Sequence, residues 1–282
     1  MECTVGTWHK VNTLDNIIVP VQEFIPENKP TAVFLMLPAL GVKARFYMRL
    51  AEGLAAGGIA TYLLEQRGHG ESPYRARRGA DFGYADFLDV DIPAAMNFVK
   101  QQQPGLPLYL GGHSLGGHLA SITAGRRSDE VAGIAHMACG FPYSGFYEGR
   151  QRKQIRFLAR LIPLFCLLFG YYPGEKLGFG GREYKSLMMD WRCWALQGSY
   201  DFAGNVGLEE AIAAFNGRAL SIAFDKDDFI SEKALEYART RLAGALLKTV
   251  TLTETQQGRY LGHFNWAKAP TGAVQALLDW LR

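Results

Sequence analysis

A run of small residues, Gly111-Gly112-His113-Ser114-Leu115-Gly116-Gly117, limits the folds open to this chain of 282 residues more than any other feature. It contains the pattern Gly-x-Ser-x-Gly, follows a short apolar run and precedes a helix-like segment. The pattern predicts a sharp turn from strand to helix, where glycines let the two elements approach while the serine oxygen points outward. A serine at such a turn is held in a strained conformation. We therefore predict Ser114 as a nucleophile.

The composition is that of an ordinary globular protein, with 48% hydrophobic and 20% charged residues. The formal net charge of +3 is small and the basic residues form no long tract, so nucleic acid is not expected as a partner. The first ten residues lack the basic start and apolar stretch of a secretory signal, which makes a cytoplasmic location the expectation. Four widely spaced cysteines are predicted to be free thiols, mostly buried: Cys3, Cys139, Cys166 and Cys193.

Apolar and amphipathic segments alternate along the chain, which is typical of a largely parallel sheet with crossover helices. Strands are predicted at 17–24, 32–37, 59–64, 108–111, 131–138, 219–224 and 247–252. Helices are predicted at 45–56, 84–102, 115–126, 231–242 and 271–281. The alternation stops for roughly 75 residues after the strand at 131–138, which predicts an insertion over the carboxyl ends of the strands, where ligands of such sheets gather.

A nucleophilic serine needs a base to take its proton and a third group to orient that base. Three carboxylates, Asp225, Asp227 and Asp228, directly follow the strand predicted at 219–224, and His263 follows the last predicted strand. The chain order is therefore Ser, Asp, His. Each of the three carboxylates is a candidate for the orienting acid.

These motifs resemble those of the α/β-hydrolase superfamily, and most of all its monoacylglycerol lipase, lysophospholipase and serine-esterase group. The resemblance covers about residues 31–282, and the segment Arg67-Gly68-His69-Gly70-Glu71-Ser72 is similar to a loop of that group. It implies an α/β-hydrolase fold, with a mostly parallel central sheet flanked by helices. It also implies a core at 1–140 and 215–282, with a cap inserted at 141–214 before the acid-bearing strand.

The resemblance also implies roles for individual residues. The catalytic residues would be Ser114, Asp228 and His263, because the acid of the group ends a Gly-x-x-Asp pattern. Asp225 stands in place of that glycine, so Asp227 is the leading rival and Asp225 the third candidate. The backbone N–H groups of Leu115 and Leu40 would bind the oxyanion, the latter from Pro38-Ala39-Leu40-Gly41, where the group often has His-Gly-x-Gly.

The other histidines show no metal-ligand spacing, so we expect neither a metal nor a cofactor. His69 and His113 belong to the motif loops, where we expect them to orient the backbone. His118 and His136 are predicted to be packing or surface residues.

The expected reaction is hydrolysis of a carboxylic ester or thioester of an apolar acyl group through an acyl-enzyme on Ser114. Residues 141–202 contain 15 aromatic residues, so we expect this segment to be a cap that packs on the core. Such a cap favours a small-molecule ester with an apolar acyl group as the substrate. Contact of this segment with a membrane surface is the second possibility, supported by a group of nearby cations: Arg150, Arg152, Lys153, Arg156 and Arg160. The same fold and triad also serve peptidases, carbon–carbon hydrolases, acyltransferases and small-molecule receptors with little turnover.

Overall fold

An eight-stranded sheet forms the centre of the computed structural model, which describes residues 6–282. The strands are β1 (Thr7–Asn12), β2 (Ile18–Phe24), β3 (Ala32–Leu37), β4 (Ile59–Leu64), β5 (Leu108–His113), β6 (Gly133–Met137), β9 (Arg218–Phe224) and β10 (Leu246–Leu252). Their spatial order is β1-β2-β4-β3-β5-β6-β9-β10. Only the pairs β1–β2 and β2–β4 are antiparallel, so most of the sheet is parallel.

Helices connect the strands and cover both faces of the sheet. They are α1 (Met48–Ala56), α2 (Tyr84–Asp86), α3 (Ile92–Gln102), α4 (Leu115–Arg126), α5 (Gly149–Phe169), α6 (Gly174–Leu177), α7 (Lys185–Gln197), α8 (Leu208–Ala214), α9 (Glu232–Thr240), α10 (Glu254–Gln257) and α11 (Thr271–Leu281). A π-helical turn, Phe87–Asp91, joins α2 to α3, and a two-stranded hairpin, β7 (Tyr172–Pro173) and β8 (Arg182–Glu183), lies between α5 and α7.

The central strands are apolar on both faces and form the middle of the hydrophobic core, as expected for a parallel sheet covered by helices. All residues of β3 are buried. Its alternate side chains enter two hydrophobic clusters: Val33 and Leu35 pack in the cluster that contains residues of α3 and α4, whereas Phe34 and Met36 pack with residues of α1 and α11. The predicted α/β fold with a mostly parallel sheet is therefore confirmed.

The segment between β6 and β9 contains helices α5 to α8 and the β7–β8 hairpin. It includes the range 141–214, for which the cap stays a prediction. Cys139 and Cys166 are buried and Cys193 is half-buried, and all three are free thiols. Cys3 lies outside the described residues. Across residues 6–282, no helix combines the length and the hydropathy needed to cross a membrane.

Candidate active site

Ser114 occupies the sharp turn between β5 and α4 and has a φ of 51°. Residues other than glycine rarely adopt a positive φ, and such a backbone conformation persists only where the surrounding structure holds it. The Ser114 N–H donates to the carbonyl oxygen of Met137 on β6 at 3.1 Å. A side chain on Gly112 or Gly116 would collide with neighbouring backbone atoms. The predicted strand-to-helix turn is therefore present, and glycines permit the close approach.

His263 and Asp227 form a buried pair at the same end of the sheet. His263 Nδ1 lies 3.0 Å from Asp227 Oδ2, and the two side chains are 4% and 7% exposed. The other carboxylate oxygen, Asp227 Oδ1, accepts the Phe229 N–H at 3.0 Å. The Phe229 ring stacks on the imidazole with 4.6 Å between ring centroids. These contacts fix both the position and the ring orientation of His263.

The structure corrects the expected partner of His263 from Asp228 to Asp227. The Asp227 N–H donates to Phe224 at 3.1 Å and the Asp228 N–H donates to Lys226 at 3.2 Å, which makes the chain turn tightly after β9. Consecutive side chains of so tight a turn point in different directions. Asp228 is exposed, and so is the third candidate, Asp225. The Gly-x-x-Asp alignment is thus off by one residue at the place where Asp225 replaces glycine.

A cavity of about 720 Å³ brings the predicted nucleophile and base together. Ser114 and His263 both line it. His263 Nε2, the nitrogen that faces away from Asp227, is buried and has no hydrogen-bond partner within residues 6–282. An imidazole held at Nδ1 by a carboxylate, with Nε2 unpaired, has the arrangement required of a general base.

Most of the cavity wall is apolar and comes from the insertion. Helices α5 and α7 contribute seven large apolar side chains: Ile155, Phe157, Leu158, Leu161, Phe165, Trp191 and Trp194. No Asp or Glu lines it among the residues that the structure describes. Such a wall suits an uncharged apolar group better than an ammonium group.

Two backbone N–H groups at the cavity match the predicted oxyanion donors. Leu40 and Leu115 both line the cavity. Leu115 is the first residue of α4, and Leu40 lies in a turn closed by the hydrogen bond from Val42 N–H to the Ala39 carbonyl at 3.0 Å. Within the described part of the chain, neither the Leu40 nor the Leu115 N–H has a hydrogen-bond partner. Unpaired donors beside the nucleophile are what an oxyanion site requires.

A buried hydrogen-bond chain ties the turn that contains Leu40 to the serine elbow. The Ala39 N–H donates to Tyr47 Oη at 3.0 Å, and Tyr47 Oη lies 2.8 Å from His113 Nδ1. Burial raises the pKa of Tyr47, whereas burial and the nearby His263 hold the pKa of His113 well below its usual value. The neutral imidazole therefore accepts a hydrogen bond from the Tyr47 O–H group. This chain fixes the two predicted donors relative to each other, as expected of a motif histidine.

A buried ion pair joins the Arg-Gly-His-Gly loop to the β7–β8 hairpin. His69 Nε2 lies 3.0 Å from Glu183 Oε2, with the side chains 5% and 0% exposed. Burial acts to lower the pKa of His69, but the Glu183 carboxylate outweighs it and the pKa is raised. Glu183 Oε1 also accepts the Gly181 N–H at 2.7 Å. Residues 177–180 line the cavity, so this pair positions part of its wall. Glu183 lies in no recognised sequence motif, and its role was not predicted from the sequence.

The two remaining candidate histidines, His118 and His136, are both buried, as the packing alternative predicts. His118 Nδ1 lies 2.7 Å from Tyr200 Oη, and burial lowers its pKa to about 4. His136 Nε2 lies 2.7 Å from Ser121 Oγ, and burial lowers its pKa to about 3. Both imidazoles are therefore neutral near pH 7.

Comparison of the sequence with known families agrees with this geometry. The profile of Hydrolase_4, described as serine aminopeptidase, S33, matches residues 28–171, just over half of the chain. The chain belongs to this family. The matched part of this Hydrolase_4 member includes the Leu40 turn, the Arg-Gly-His-Gly loop and the serine elbow. Asp227 and His263 lie beyond the matched part.

Curated relatives of this Hydrolase_4 member include monoglyceride lipases. Human monoglyceride lipase is 28% identical over 109 residues, which cover 39% of this chain and 35% of the human protein. Monoacylglycerol lipase of Mycolicibacterium smegmatis is 23% identical over 126 residues, which cover 45% of this chain and 44% of that protein. The chain therefore matches less than half of the length of these relatives. The predicted superfamily and group are confirmed.

Solved structures similar to this Hydrolase_4 member share its fold along nearly the whole chain. Est1E from Butyrivibrio proteoclasticus with bound ferulic acid has a TM-score of 0.63 at 17% identity, covering 98% of this chain and 99% of that one. A putative lipase from Acinetobacter baumannii has a TM-score of 0.65 at 17% identity, covering 98% and 90%. At such identities the likeness extends to the fold alone.

Proposed function

We propose that this chain is a serine hydrolase that cleaves a carboxylic ester or thioester of an apolar acyl group. Ser114 is the nucleophile, His263 the base and Asp227 the acid that orients it. The observation that carries the proposal is that a strained serine and a histidine held by a buried carboxylate line the same apolar cavity. The monoglyceride lipases among the curated relatives support an ester rather than an amide substrate.

In the proposed reaction, His263 Nε2 takes the proton of Ser114 Oγ as that oxygen attacks the acyl carbon. The carbonyl oxygen becomes negative and accepts hydrogen bonds from the Leu40 and Leu115 N–H groups. The proton then passes from His263 to the leaving alcohol or thiol, and the acyl group stays on Ser114. Water, deprotonated by the same imidazole, releases the acid. Asp227 keeps Nδ1 protonated and stabilises the imidazolium.

We also propose that residues 141–214 act as a cap that selects the acyl group. Helices α5 and α7 supply seven large apolar side chains of the cavity that contains Ser114. Each methylene that such a wall covers contributes about 0.8 kcal/mol, or roughly fourfold in affinity. An acyl chain of several carbons is therefore favoured over acetyl.

Aminopeptidase activity, suggested by the description of the matched family, is disfavoured by the charge of the site. Recognition of a free amino terminus in a buried site needs a carboxylate to pair with the ammonium group. The cavity wall, over the part of the chain that the structure describes, has no such group. We therefore expect aminoacyl p-nitroanilides to be poor substrates.

The test is turnover of p-nitrophenyl esters of increasing acyl length by wild type, Ser114→Ala and the control Ser128→Ala. Ser128 is exposed and lies outside the cavity. We expect Ser114→Ala to lose about 10⁴-fold or more in kcat, Ser128→Ala to match wild type, and kcat/KM to rise with acyl length. Fastest turnover for acetyl would overturn the acyl preference. A single slow turnover followed by arrest would favour a receptor.

A further inference from the structure

Two phenylalanine rings flank the proposed base at the cavity. The Phe229 ring stacks on His263 with 4.6 Å between ring centroids, and the Phe264 ring lies nearly perpendicular to the same imidazole at 4.7 Å. The two phenylalanine rings are 6.0 Å apart. Phe264 is also in contact with His113, at 5.6 Å between centroids. We call the group formed by Phe229, His263 and Phe264 the aromatic corner.

The protein leaves much of the aromatic corner uncovered. Phe229 is 47% exposed and Phe264 is 41% exposed, although both line the cavity that contains Ser114. The imidazole covers one face of the Phe229 ring, so the exposed area includes the other face. Exposed aromatic surface beside a reactive group favours contact with an apolar ligand over contact with water.

The leaving group of the proposed reaction has to pass this corner. His263 Nε2 delivers a proton to the leaving oxygen or sulfur, so that atom must come within about 3 Å of the nitrogen. The carbon substituent of the leaving atom then lies against the groups around the imidazole. Within residues 6–282, the rings that contact His263 and also line the cavity are Phe229 and Phe264.

The aromatic corner offers little to a leaving group rich in hydroxyls. Among the described residues, no Lys, Arg, Asp or Glu lines the cavity. Both carboxylate oxygens of Asp227 are occupied, by His263 and by the Phe229 N–H. Gln151, which does line the cavity, donates its Nε2 to the Asp228 carbonyl oxygen at 2.6 Å. A hydroxyl held against the rings would lose water without gaining a partner, which opposes binding.

We propose that the aromatic corner receives the leaving group, and that the preferred leaving group is an alcohol or thiol that carries an aromatic ring. This ring packs on the free face of Phe229 and beside Phe264 while His263 protonates the leaving atom. Contacts between aromatic rings are stabilised beyond the area that they bury. A polyol leaving group is correspondingly disfavoured. The inference rests on the proposed hydrolysis, because it assigns the second half of the same substrate.

The test compares three hexanoyl esters that differ only in the leaving alcohol: 2-phenylethanol, 2-cyclohexylethanol and ethylene glycol. These are primary alcohols of similar basicity, so their esters have similar intrinsic reactivity. Release of hexanoic acid is measured below saturation, where the rate gives kcat/KM. The variants are Phe264→Leu and the matched control Phe165→Leu, which makes the same chemical change in the part of the cavity wall that α5 supplies.

For wild type we expect kcat/KM for the 2-phenylethyl ester to exceed that for the 2-hydroxyethyl ester at least about 30-fold, and that for the 2-cyclohexylethyl ester about threefold. Phe264→Leu should lower the first ratio about fivefold because one ring contact is lost. Phe165→Leu should leave this ratio within about twofold of wild type. A ratio cancels any general loss of activity, so a residue that only held His263 in place would not change it.

Equal kcat/KM for the three esters, a preference for the hydroxyethyl or cyclohexylethyl ester, or equal changes of the ratio in both variants would overturn the aromatic corner and leave ester hydrolysis intact. Failure to hydrolyse any ester would instead refute the proposed function. The corner is then decided by saturation-transfer NMR of 2-phenylethanol with Ser114→Ala. Saturation of the aromatic protons that disappears when Phe264→Leu is added supports the corner, and absent saturation overturns it.

Discussion

Replacing Asp227 by asparagine changes which nitrogen of His263 carries the proton. In the wild type, Asp227 Oδ1 accepts the Phe229 N–H at 3.0 Å and Oδ2 lies 3.0 Å from His263 Nδ1. An asparagine must keep its oxygen toward the Phe229 N–H, so its NH₂ group faces Nδ1. Two N–H donors cannot hydrogen-bond to each other, and the imidazole proton moves to Nε2.

A proton on His263 Nε2 prevents that nitrogen from taking the proton of Ser114. Loss of the correct tautomer costs a serine hydrolase about 10⁴-fold in kcat, or about 5 kcal/mol of transition-state stabilisation. We therefore expect Asp227→Asn to lower kcat about 10⁴-fold and to change KM little. The shape of the side chain is preserved, so the melting temperature should fall by only a few degrees.

Asp228→Asn is the matched control because it makes the same chemical change one residue away. Asp228 is exposed, and its hydrogen bonds are made by the backbone: its N–H donates to the Lys226 carbonyl at 3.2 Å and its carbonyl oxygen accepts from Gln151 Nε2 at 2.6 Å. We expect kcat within about threefold of wild type. Both variants are compared by p-nitrophenyl ester turnover and thermal unfolding. A larger loss in Asp228→Asn, or a loss below tenfold in a folded Asp227→Asn, would refute the assignment of the acid.

Three further predictions concern the elbow, the ion pair and the cavity wall. Gly116→Ala places a Cβ against the carbonyl oxygens of Leu37 and Pro38. We expect the free energy of unfolding, measured in urea, to fall by about 2–3 kcal/mol. An unchanged free energy of unfolding would contradict this close approach. The His69–Glu183 pair stabilises the protein only while His69 is protonated, and the pKa of His69 is raised on folding. Glu183→Gln should therefore lower the melting temperature most below pH ~6.5 and progressively less as pH rises through that raised pKa, whereas a deficit independent of pH would contradict the ion pair. Phe165→Ala should lower kcat/KM for an octanoyl ester about tenfold while the acetyl ester stays within threefold, and equal losses for both would place Phe165 outside the acyl site.

The strands of the sheet centre were predictable because their side chains are buried on both faces. The runs at 32–37 and 59–64 match β3 and β4 at both ends. The edge strand β1 (Thr7–Asn12) was not predicted, because most of its residues are exposed and it has no apolar alternation. Its pairing with β2 depends on backbone hydrogen bonds that no side-chain pattern reports.

The helix predicted at 84–102 is interrupted in the structure. The structure divides it into α2, a π-helical turn and α3. Asp91 ends the π turn, is buried, and accepts hydrogen bonds from Arg67 Nε at 2.9 Å and from Arg67 Nη2 at 2.6 Å. The sequence pattern reports helical periodicity but does not report such a distant partner.

The candidate site was predictable where a backbone requirement fixes the residue type. Gly112 and Gly116 reveal the elbow at Ser114, since only glycine fits the contact between strand and helix. The acid was not fixed in this way, because the turn after β9 decides which of three neighbouring carboxylates reaches His263. Glu183 was missed because its partner His69 is 114 residues away in the sequence.

Labelling with an alkyl fluorophosphonate, followed by mass spectrometry of the digested protein, tests the central claim most directly. The reagent reacts with a serine that a neighbouring base activates, and it requires no knowledge of the natural substrate. The account predicts one adduct per chain, on the peptide that contains Ser114, with none in Ser114→Ala and labelling at least about 1,000-fold slower in Asp227→Asn. An adduct on another residue, or no adduct on folded wild-type protein, would contradict the account.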